Sequence, residues 1–136
     1  MKLTYKGSYV LRLVLDIARH SDIRYISSHD IIKRQNISQS CIWKLLKRLT
    51  KKGIIKSNTG PDGGYFLSKK PEDINVYNIL LAVGEVINYT EELDKPEEVS
   101  EEYLAVAEFF TDLDRNMNEY LKSITLADLL KISGEE

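Results

Sequence analysis

Residues 38–53 read SQSCIWKLLKRLTKKG, and the pattern of this stretch decides the fold. Its apolar residues recur at the spacing i, i+3, i+4, i+7 and so share one face of a helix: Ile42, Leu45, Leu46 and Leu49. Ser38 is a favourable N-cap, and Gly53 suits the backbone position just after a helix end. We therefore predict a helix from Gln39 to Lys52 with one buried face.

The segments on either side of this helix complete a motif. Residues 8–20 and 29–35 carry further helical patterns, and the turn between the second and third helices is short. Residues 54–59 and 64–68 then read as two strands, joined by the turn-forming residues 60–63. Two helices joined by a short turn form a helix-turn-helix, and a hairpin directly after it adds a wing.

Local signals predict the remaining element boundaries. Asn36 tolerates the left-handed backbone expected in the turn between the second and third helices. Asn75 can cap a fourth helix, and residues 88–100 read as a polar, acidic loop. A long helix follows over about residues 98–122. Thr125, with an acidic residue three positions later, can cap a short terminal helix.

These signals predict an α+β, mainly α fold. It is a winged helix-turn-helix with a two-stranded wing and a long C-terminal dimerisation helix. We expect a winged-helix DNA-binding domain over residues 1–84, a linker loop over 85–100, and the dimerisation helix with a short C-terminal helix over 101–136. No signal-peptide or membrane-spanning pattern is found, and a single cysteine fits a reducing compartment. We expect a cytoplasmic protein without membrane contact.

The charge distribution separates the two halves of the chain. Residues 1–70 carry 15 basic and 4 acidic residues, a net charge of +11. Residues 71–136 carry 4 basic and 17 acidic residues, a net charge of −13. A basic half attracts a polyphosphate, and an acidic half is repelled by it. The sequence therefore indicates that the first half faces nucleic acid and the second faces away.

The outward face of the third helix is the candidate DNA-reading surface, since such a helix enters the major groove. Gln39 and Ser40 can hydrogen-bond base edges, whereas lysine and arginine side chains contact phosphates. The predicted DNA-contact residues are Gln39, Ser40, Trp43, Lys44, Lys47, Arg48 and Lys51 of this helix and Thr59 of the wing. Four further basic residues can extend this face: Arg12, Lys33, Arg34 and Lys56.

Two residues of the third helix have alternative interpretations. Trp43 can stack on a sugar or a thymine methyl group or tuck against the wing, or it can simply cover local apolar surface. Cys41 lies in the first turn, where the helix dipole favours a thiolate, so a redox role is one hypothesis. The other is that Cys41 acts as a small, partly buried apolar residue.

Apolar residues on the long C-terminal helix repeat with a heptad spacing for three heptads. This seam predicts a homodimer interface: Tyr103, Val106, Phe110, Leu113, Met117, Tyr120 and Ile124. A helix buried in a monomer core would show a similar period, but a chain of 136 residues has little left to cover it. Two-fold symmetry would match a palindromic operator.

Catalytic and metal-binding patterns are not found in the sequence. His20 and His29 lack metal-ligand spacing with each other or with Cys41, and the acidic run at 91–102 lacks a calcium-loop pattern. The turn at residues 60–64 lacks the lysine and serine of a nucleotide-binding loop. We expect a protein that is not an enzyme and has no cofactor.

Five stretches together resemble the bacterial Rrf-type winged-helix regulators, the family of IscR, NsrR and CymR. They are LTYKGSYVLR at 3–12, NIS at 36–38 with LL at 45–46 and GII at 53–55, GPDGGYFL at 60–67, PEDI at 71–74, and SITLAD at 123–128. The wing motif is the most specific of these. The resemblance implies a homodimeric transcription regulator, usually a repressor, that dimerises through its long C-terminal helix.

Three departures from the family pattern bear on mechanism. Cluster-binding members place three cysteines in the segment that matches residues 88–100, and this chain has none there. One thiol elsewhere cannot replace them, which argues against an iron–sulfur cluster. Trp43 stands where a glutamate is common, so base preference should differ. Thr59 stands where a wing arginine is common, which argues against an arginine inserted in the minor groove.

Three functional hypotheses follow. The first is a dimeric, sequence-specific DNA-binding regulator, a repressor without a cluster. The second is a regulator or interaction module controlled by a bound partner protein, with the acidic half as the contact surface. The third is a thiol-based redox sensor acting through Cys41.

Overall fold

The computed structural model describes residues 5–20, 25–61, 63–86 and 88–134. Three helices come first: α1 (Tyr5–His20), α2 (Ser28–Gln35) and α3 (Gln39–Lys51). Two antiparallel strands follow, β1 (Ile55–Asn58) and β2 (Gly64–Leu67). The described chain ends with α4 (Val76–Ala82), α5 (Glu101–Ser123) and α6 (Leu126–Ile132). Short 3-10 turns lie at Pro71–Asp73 and Thr90–Glu92. The mainly helical winged-helix fold expected from the sequence is confirmed.

Side-chain caps set the helix boundaries. The Ser38 hydroxyl accepts a hydrogen bond from the backbone N–H of Cys41, which satisfies a donor that the first turn of α3 leaves without a partner. Asn36 has the predicted left-handed backbone, with a φ of 54°. Asn75 caps α4 as predicted, and Thr125 forms a full capping box at the start of α6. The helix-turn-helix geometry is thus encoded locally.

The wing is held to the helical layer by an additional bridge. Ile26, which precedes α2, exchanges two backbone hydrogen bonds with Tyr65 of β2, at 2.9 and 2.8 Å. Gly64 lies at this crossing, and a Cβ atom there would meet the carbonyl oxygen of Ile26 at 2.5 Å. Only glycine permits that approach. Asp62 of the predicted wing turn lies outside the described residues.

The hydrophobic core lies between α1, α3 and α4. The predicted apolar stripe of α3 is buried, together with one face of α1 that includes Leu13 and Ile17. Helix α6 also joins this core, because Leu126 is fully buried. The strand-like segments before α4 and α6 exchange backbone hydrogen bonds of 2.8 Å between Val76 and Ile124 and between Leu126 and Ile74. Helix α6 therefore packs on the winged-helix core.

Helix α5 differs from the others because its own chain hardly covers it. It runs for 23 residues, and Asp114 is its one buried residue. Large apolar side chains remain exposed along it, among them Leu104, Val106, Phe109 and Tyr120. None of the helices in the described part of the chain combines the length and apolar character needed to cross a bilayer.

Candidate nucleic-acid interface

Helix α3 presents its predicted outward face to solvent. Because Ile42, Leu45, Leu46 and Leu49 are buried, the opposite side of the helix has to face outward. Six of the predicted contact residues are exposed on it: Gln39, Ser40, Trp43, Lys44, Lys47 and Lys51. The Trp43 side chain is 54% exposed, so most of its ring is available to a partner. The structure thus brings together the polar groups predicted to read bases, an aromatic ring and lysines.

Arg48 is exposed, but its guanidinium group has a partner within the chain. Its Nη1 donates a hydrogen bond of 3.0 Å to the carbonyl oxygen of Val83, the C-cap residue of α4. A cation at a helix C-terminus interacts favourably with the helix dipole. Arg48 therefore fastens α3 to α4, a role that the sequence reasoning missed. The reason is that Val83 lies 35 positions further along the chain.

A groove of about 350 Å³ runs along one flank of α3. Its cationic residues come from α1 and α3: Lys6, Lys44, Lys47, Arg48 and Lys51. Its apolar residues are Leu45, Val83 and the partly exposed Cys41. The candidate redox thiol therefore lies beside the lysines predicted to contact DNA.

Two arginines expected to extend the basic face form a clamp between α1 and α2 instead. Arg34 donates two hydrogen bonds to the buried Asp16 carboxylate, from Nε at 2.9 Å and from Nη2 at 2.7 Å. Gln35 adds a third hydrogen bond at 2.7 Å, and Arg12 donates to the backbone carbonyl of Gln35. The hydrogen bond to Asp16 raises the pKa of Arg34 above its ordinary value. The sequence signal for this clamp is an aspartate among the buried residues of α1.

The wing leaves its predicted contact residue accessible. Thr59 is exposed just after β1. A polar cleft lies beside it, and its lining includes Ser57, Asn58 and the two serines at the start of α2, Ser27 and Ser28. The wing and the N-terminus of α2 therefore share one hydroxyl-rich surface. Of the remaining basic candidates, Lys33 and Lys56 are exposed.

The predicted heptad seam divides into two sides. Tyr103 and Phe110 contact their own chain: the Tyr103 hydroxyl donates to the carbonyl of Asp94 at 2.6 Å, and the Phe110 ring lies 6.1 Å from that of Tyr89. Val106 and Tyr120 are exposed, whereas Leu113, Met117 and Ile124 are half-buried.

The sequence reasoning missed one exposed aromatic residue on α5. Phe109 is 60% exposed and falls outside the heptad positions that the sequence indicates. At 100° per residue, Val106, Phe109, Leu113 and Tyr120 form one continuous stripe along the helix. We call these four residues the α5 stripe. It is rotated from the predicted seam toward solvent.

The buried Asp114 fastens the acidic loop to α5. Its carboxylate accepts hydrogen bonds from the backbone N–H groups of Tyr89 and Thr90, at 2.8 and 2.9 Å, and from the Thr90 hydroxyl at 2.6 Å. Burial alone would disfavour the charged form. The three hydrogen bonds outweigh burial and hold the pKa of Asp114 below its ordinary value.

The family follows from comparison with known proteins. The sequence profile of the Rrf2 family, described as iron-dependent transcriptional regulator, matches residues 3–132. The chain belongs to the Rrf2 family. A Haemophilus influenzae HTH-type transcriptional regulator is 40% identical to this Rrf2 protein, over 96% of this chain and 87% of its own length. An Erwinia tasmaniensis IscR is 36% identical over 96% of this chain and 79% of its own.

Solved structures agree with the family. The structure of T. potens IscR superposes with a TM-score of 0.78 at 30% identity, covering 98% of this chain and 88% of the other. CymR, the global cysteine regulator of B. subtilis, superposes with a TM-score of 0.81 at 26% identity, covering 97% and 98%. This Rrf2 protein is therefore a winged-helix transcription regulator. The expectation that it is not an enzyme is confirmed, because its relatives are named regulators.

The iron in the family description prompts a test of the residues present. Iron–sulfur clusters are held by several cysteine thiolates, and the whole chain has one cysteine, Cys41. Within the described ranges, no three His, Cys, Asp or Glu side chains are grouped in a way that could hold a metal ion. The segment at residues 88–100 has no cysteine, and its residues Tyr89 and Thr90 are joined to α5 through Asp114. The residues of this chain do not fit a cysteine-held cluster.

Proposed function

We propose that this Rrf2 protein is a homodimeric, sequence-specific repressor that binds a palindromic operator in duplex DNA. The observation that carries the proposal is the exposed, basic face of α3 in a winged-helix transcription regulator. That face carries four basic residues on α3 and no acidic ones. It belongs to a half of the chain with a net charge of +11, which favours a polyanion.

Each exposed group of the interface has a distinct role in this proposal. Gln39 and Ser40, in the first turn of α3, read base edges in the major groove. Lys44, Lys47 and Lys51 contact phosphates and set the position of the helix on the duplex. Arg48 holds α3 against α4, and Thr59 contacts the backbone beside the wing. Trp43 packs on a thymine methyl group or a sugar.

We further propose that the α5 stripe forms the dimer interface. An exposed apolar row on a long helix is unfavourable unless a partner covers it. A second copy of the same helix offers the matching row, and an isologous contact of this kind gives two-fold symmetry. Tyr103 and Phe110 of the predicted seam then hold the loop within each protomer, while Met117 and Ile124 lie at the edge of the contact. The boundary at residue 84 between reading and dimerising parts stays a prediction.

The proposed repressor works without an iron–sulfur cluster and in the cytoplasm. One cysteine cannot supply the ligands of a cluster, and a regulator of bacterial transcription acts where the chromosome is. Purified anaerobically, the protein should be colourless and lack visible absorption bands. A brown protein with such bands would contradict this part of the proposal.

Footprinting and gel-shift experiments on the promoter of the protein's own gene test the main proposal. We expect one protected site with two half-sites about one helical turn apart, bound by a dimer. Binding should weaken steeply with added salt because several phosphates are neutralised. Light scattering should give twice the chain mass. If neither specific nor salt-sensitive binding occurs, the proposal fails.

One structural observation favours the thiol-sensor alternative as a second candidate. Cys41 is partly exposed and lines the groove that also holds Lys44 and Lys47, so an oxidant can reach a thiol beside the proposed phosphate contacts. In that case an oxidant should change operator binding, and the C41S variant should lose the response. An unchanged response in C41S would exclude it. Control by a bound partner protein stays a prediction.

A further inference from the structure

The groove beside α3 combines cationic and apolar residues, a composition that suits a small ligand. It is lined on one side by Lys44, Lys47 and Lys51, which follow each other at helical spacing, and is closed by Lys6 and Arg48. The residues that line it in the described part of the chain include no carboxylate. The three exposed lysines of α3 beside one concave surface attract an anion, because the potentials of like charges add.

The interior of the groove is apolar. Leu45 and Val83 form it together with the side chain of Cys41. A phosphate group alone would pair with the lysines at the rim and leave this interior in contact with water. An anion that also carries an apolar body would cover it and gain the hydrophobic contribution. The volume of about 350 Å³ lies within the range of small-molecule sites.

Part of the groove is held in place before any ligand arrives. The hydrogen bond from Arg48 to the carbonyl of Val83 joins its two walls, α3 and the end of α4. Binding to a pre-formed site costs less ordering than binding to a mobile one. The lysines at the rim remain exposed and can adjust to the anionic group.

We infer that the groove binds a small organic anion with an apolar body, such as an aromatic or aliphatic carboxylate or sulfonate. Lys44, Lys47 and Lys51 would pair with its charged group, and Leu45 and Val83 would contact its body. The same three lysines contact phosphates in the proposed function, on which this part of the inference rests. The anion and DNA therefore compete, and the anion acts as an inducer.

The single cysteine provides the measurement. Cys41 lines the groove and is the only thiol of the chain. Its rate of reaction with dithiodipyridine, a neutral aromatic disulfide, reports whether the groove is occupied. Naphthalene sulfonate serves as the probe anion and naphthol as its neutral counterpart. At ten times its dissociation constant, the sulfonate should slow the reaction roughly tenfold, whereas naphthol should leave the rate nearly unchanged.

Charge variants identify where the probe binds. The double variant Lys44→Gln, Lys47→Gln should raise the sulfonate concentration needed for half-protection roughly tenfold. Lys131→Gln removes the same kind of charge on α6, from a residue that does not line the groove, and should have no effect. These lysines are exposed, so the variants should fold as the wild type does, which circular dichroism checks. Equal protection in the wild type and the double variant would overturn the inference.

A DNA-binding arm separates this inference from the proposed function. Sulfonate should raise the dissociation constant for operator DNA in the wild type, and naphthol should not. Operator binding without protection of Cys41 would overturn the groove site and leave the proposed function standing. Protection without any operator binding would support the groove site and overturn the proposed function. Protection that leaves operator binding unweakened would overturn the competition.

Discussion

Helices α3 and α5 are both amphipathic, but only α3 has its apolar face buried by the rest of its own chain. Helix α3 has 13 residues, four of them buried apolar residues, and its exposed face is basic. Helix α5 has 23 residues, its one buried residue is an aspartate, and its exposed face mixes acidic and apolar groups. The helix proposed to face DNA is therefore positioned by the fold of one chain, whereas α5 leaves an apolar face that we propose a second copy covers.

The largest expected effect comes from a substitution in the buried face of α3. Leu46→Ala in α3 removes a fully buried side chain and should lower the free energy of unfolding by about 2–5 kcal/mol. Leu104→Ala on α5 removes the same atoms from an exposed position and should change it by less than about 0.5 kcal/mol. Urea denaturation at one protein concentration measures both. Similar losses in the two variants would contradict the burial contrast.

The next effect concerns the proposed dimer contact of α5. Phe109→Glu places a charge at the centre of the α5 stripe and should convert the proposed dimer to a monomer. Operator affinity should then fall about a hundredfold, because the two half-sites are no longer bound together. Light scattering and fluorescence anisotropy measure the two effects.

The matched control for Phe109→Glu is Leu104→Glu. It makes the same chemical change at a comparably exposed position on another side of α5. A dimer that survives Phe109→Glu but dissociates on Leu104→Glu would place the interface elsewhere on the helix.

The contrast between the two helices also explains what the sequence could predict. The caps at Ser38 and Thr125, the left-handed Asn36 and the buried stripe of α3 depend on residues a few positions apart. Local rules therefore predict them correctly. The heptad period of α5 predicts an apolar seam. It does not predict that Tyr103 and Phe110 contact the preceding loop of their own chain.

Long-range polar contacts were beyond local reasoning for the same reason. The sequence predicts Arg34 as a surface cation. The packing of α2 against α1 instead brings it within hydrogen-bonding distance of Asp16. The sequence predicts Arg48 as a phosphate contact, but it gives no sign of the hydrogen bond that Arg48 makes to the end of α4. Both depend on residues at least 18 positions away in sequence. No periodicity or spacing rule links such pairs.

The third prediction compares a buried aspartate–arginine pair between α1 and α2 with an exposed pair on α5. Asp16→Asn breaks the buried clamp between α1 and α2 and should cost about 1–3 kcal/mol of stability. Asp112→Asn removes the exposed pair with Arg115 on α5 and should change stability by less than about 0.5 kcal/mol. Thermal and urea unfolding compare the two. An equal cost would mean that burial does not decide the strength of these pairs.

The fourth prediction concerns acid stability at the junction of the loop and α5. Because the folded pKa of Asp114 lies below its ordinary value, its stabilising contribution is full above the unfolded pKa, about 4. The contribution is lost as the pH falls through the folded value. Asp114→Asn should cost about 1 kcal/mol near neutral pH and flatten the loss of stability below pH 4.

Asp128 titrates in the same window and sets the control for this measurement. Its capping hydrogen bonds with Thr125 also lower its pKa, so part of the acid dependence should persist in Asp114→Asn. The double variant with Asp128→Asn should lose that part as well. If Asp114→Asn left the acid transition unchanged, the carboxylate would not be fastening the loop.

The smallest expected effect lies on the exposed face of α3. Lys51→Gln removes one proposed phosphate contact and leaves the buried stripe untouched, so stability should hardly change. Operator and unrelated DNA should both be bound a few times more weakly, because a phosphate contact carries no sequence information. A plot of log affinity against log salt should lose about 0.9 in slope for each Lys51 removed, so twice that in a dimer. Lys131→Gln on α6 should leave the slope intact, since that lysine belongs to the acidic half of the chain, which we propose faces away from DNA. A slope that falls equally in both variants would mean that overall charge, and not the position of α3, controls binding.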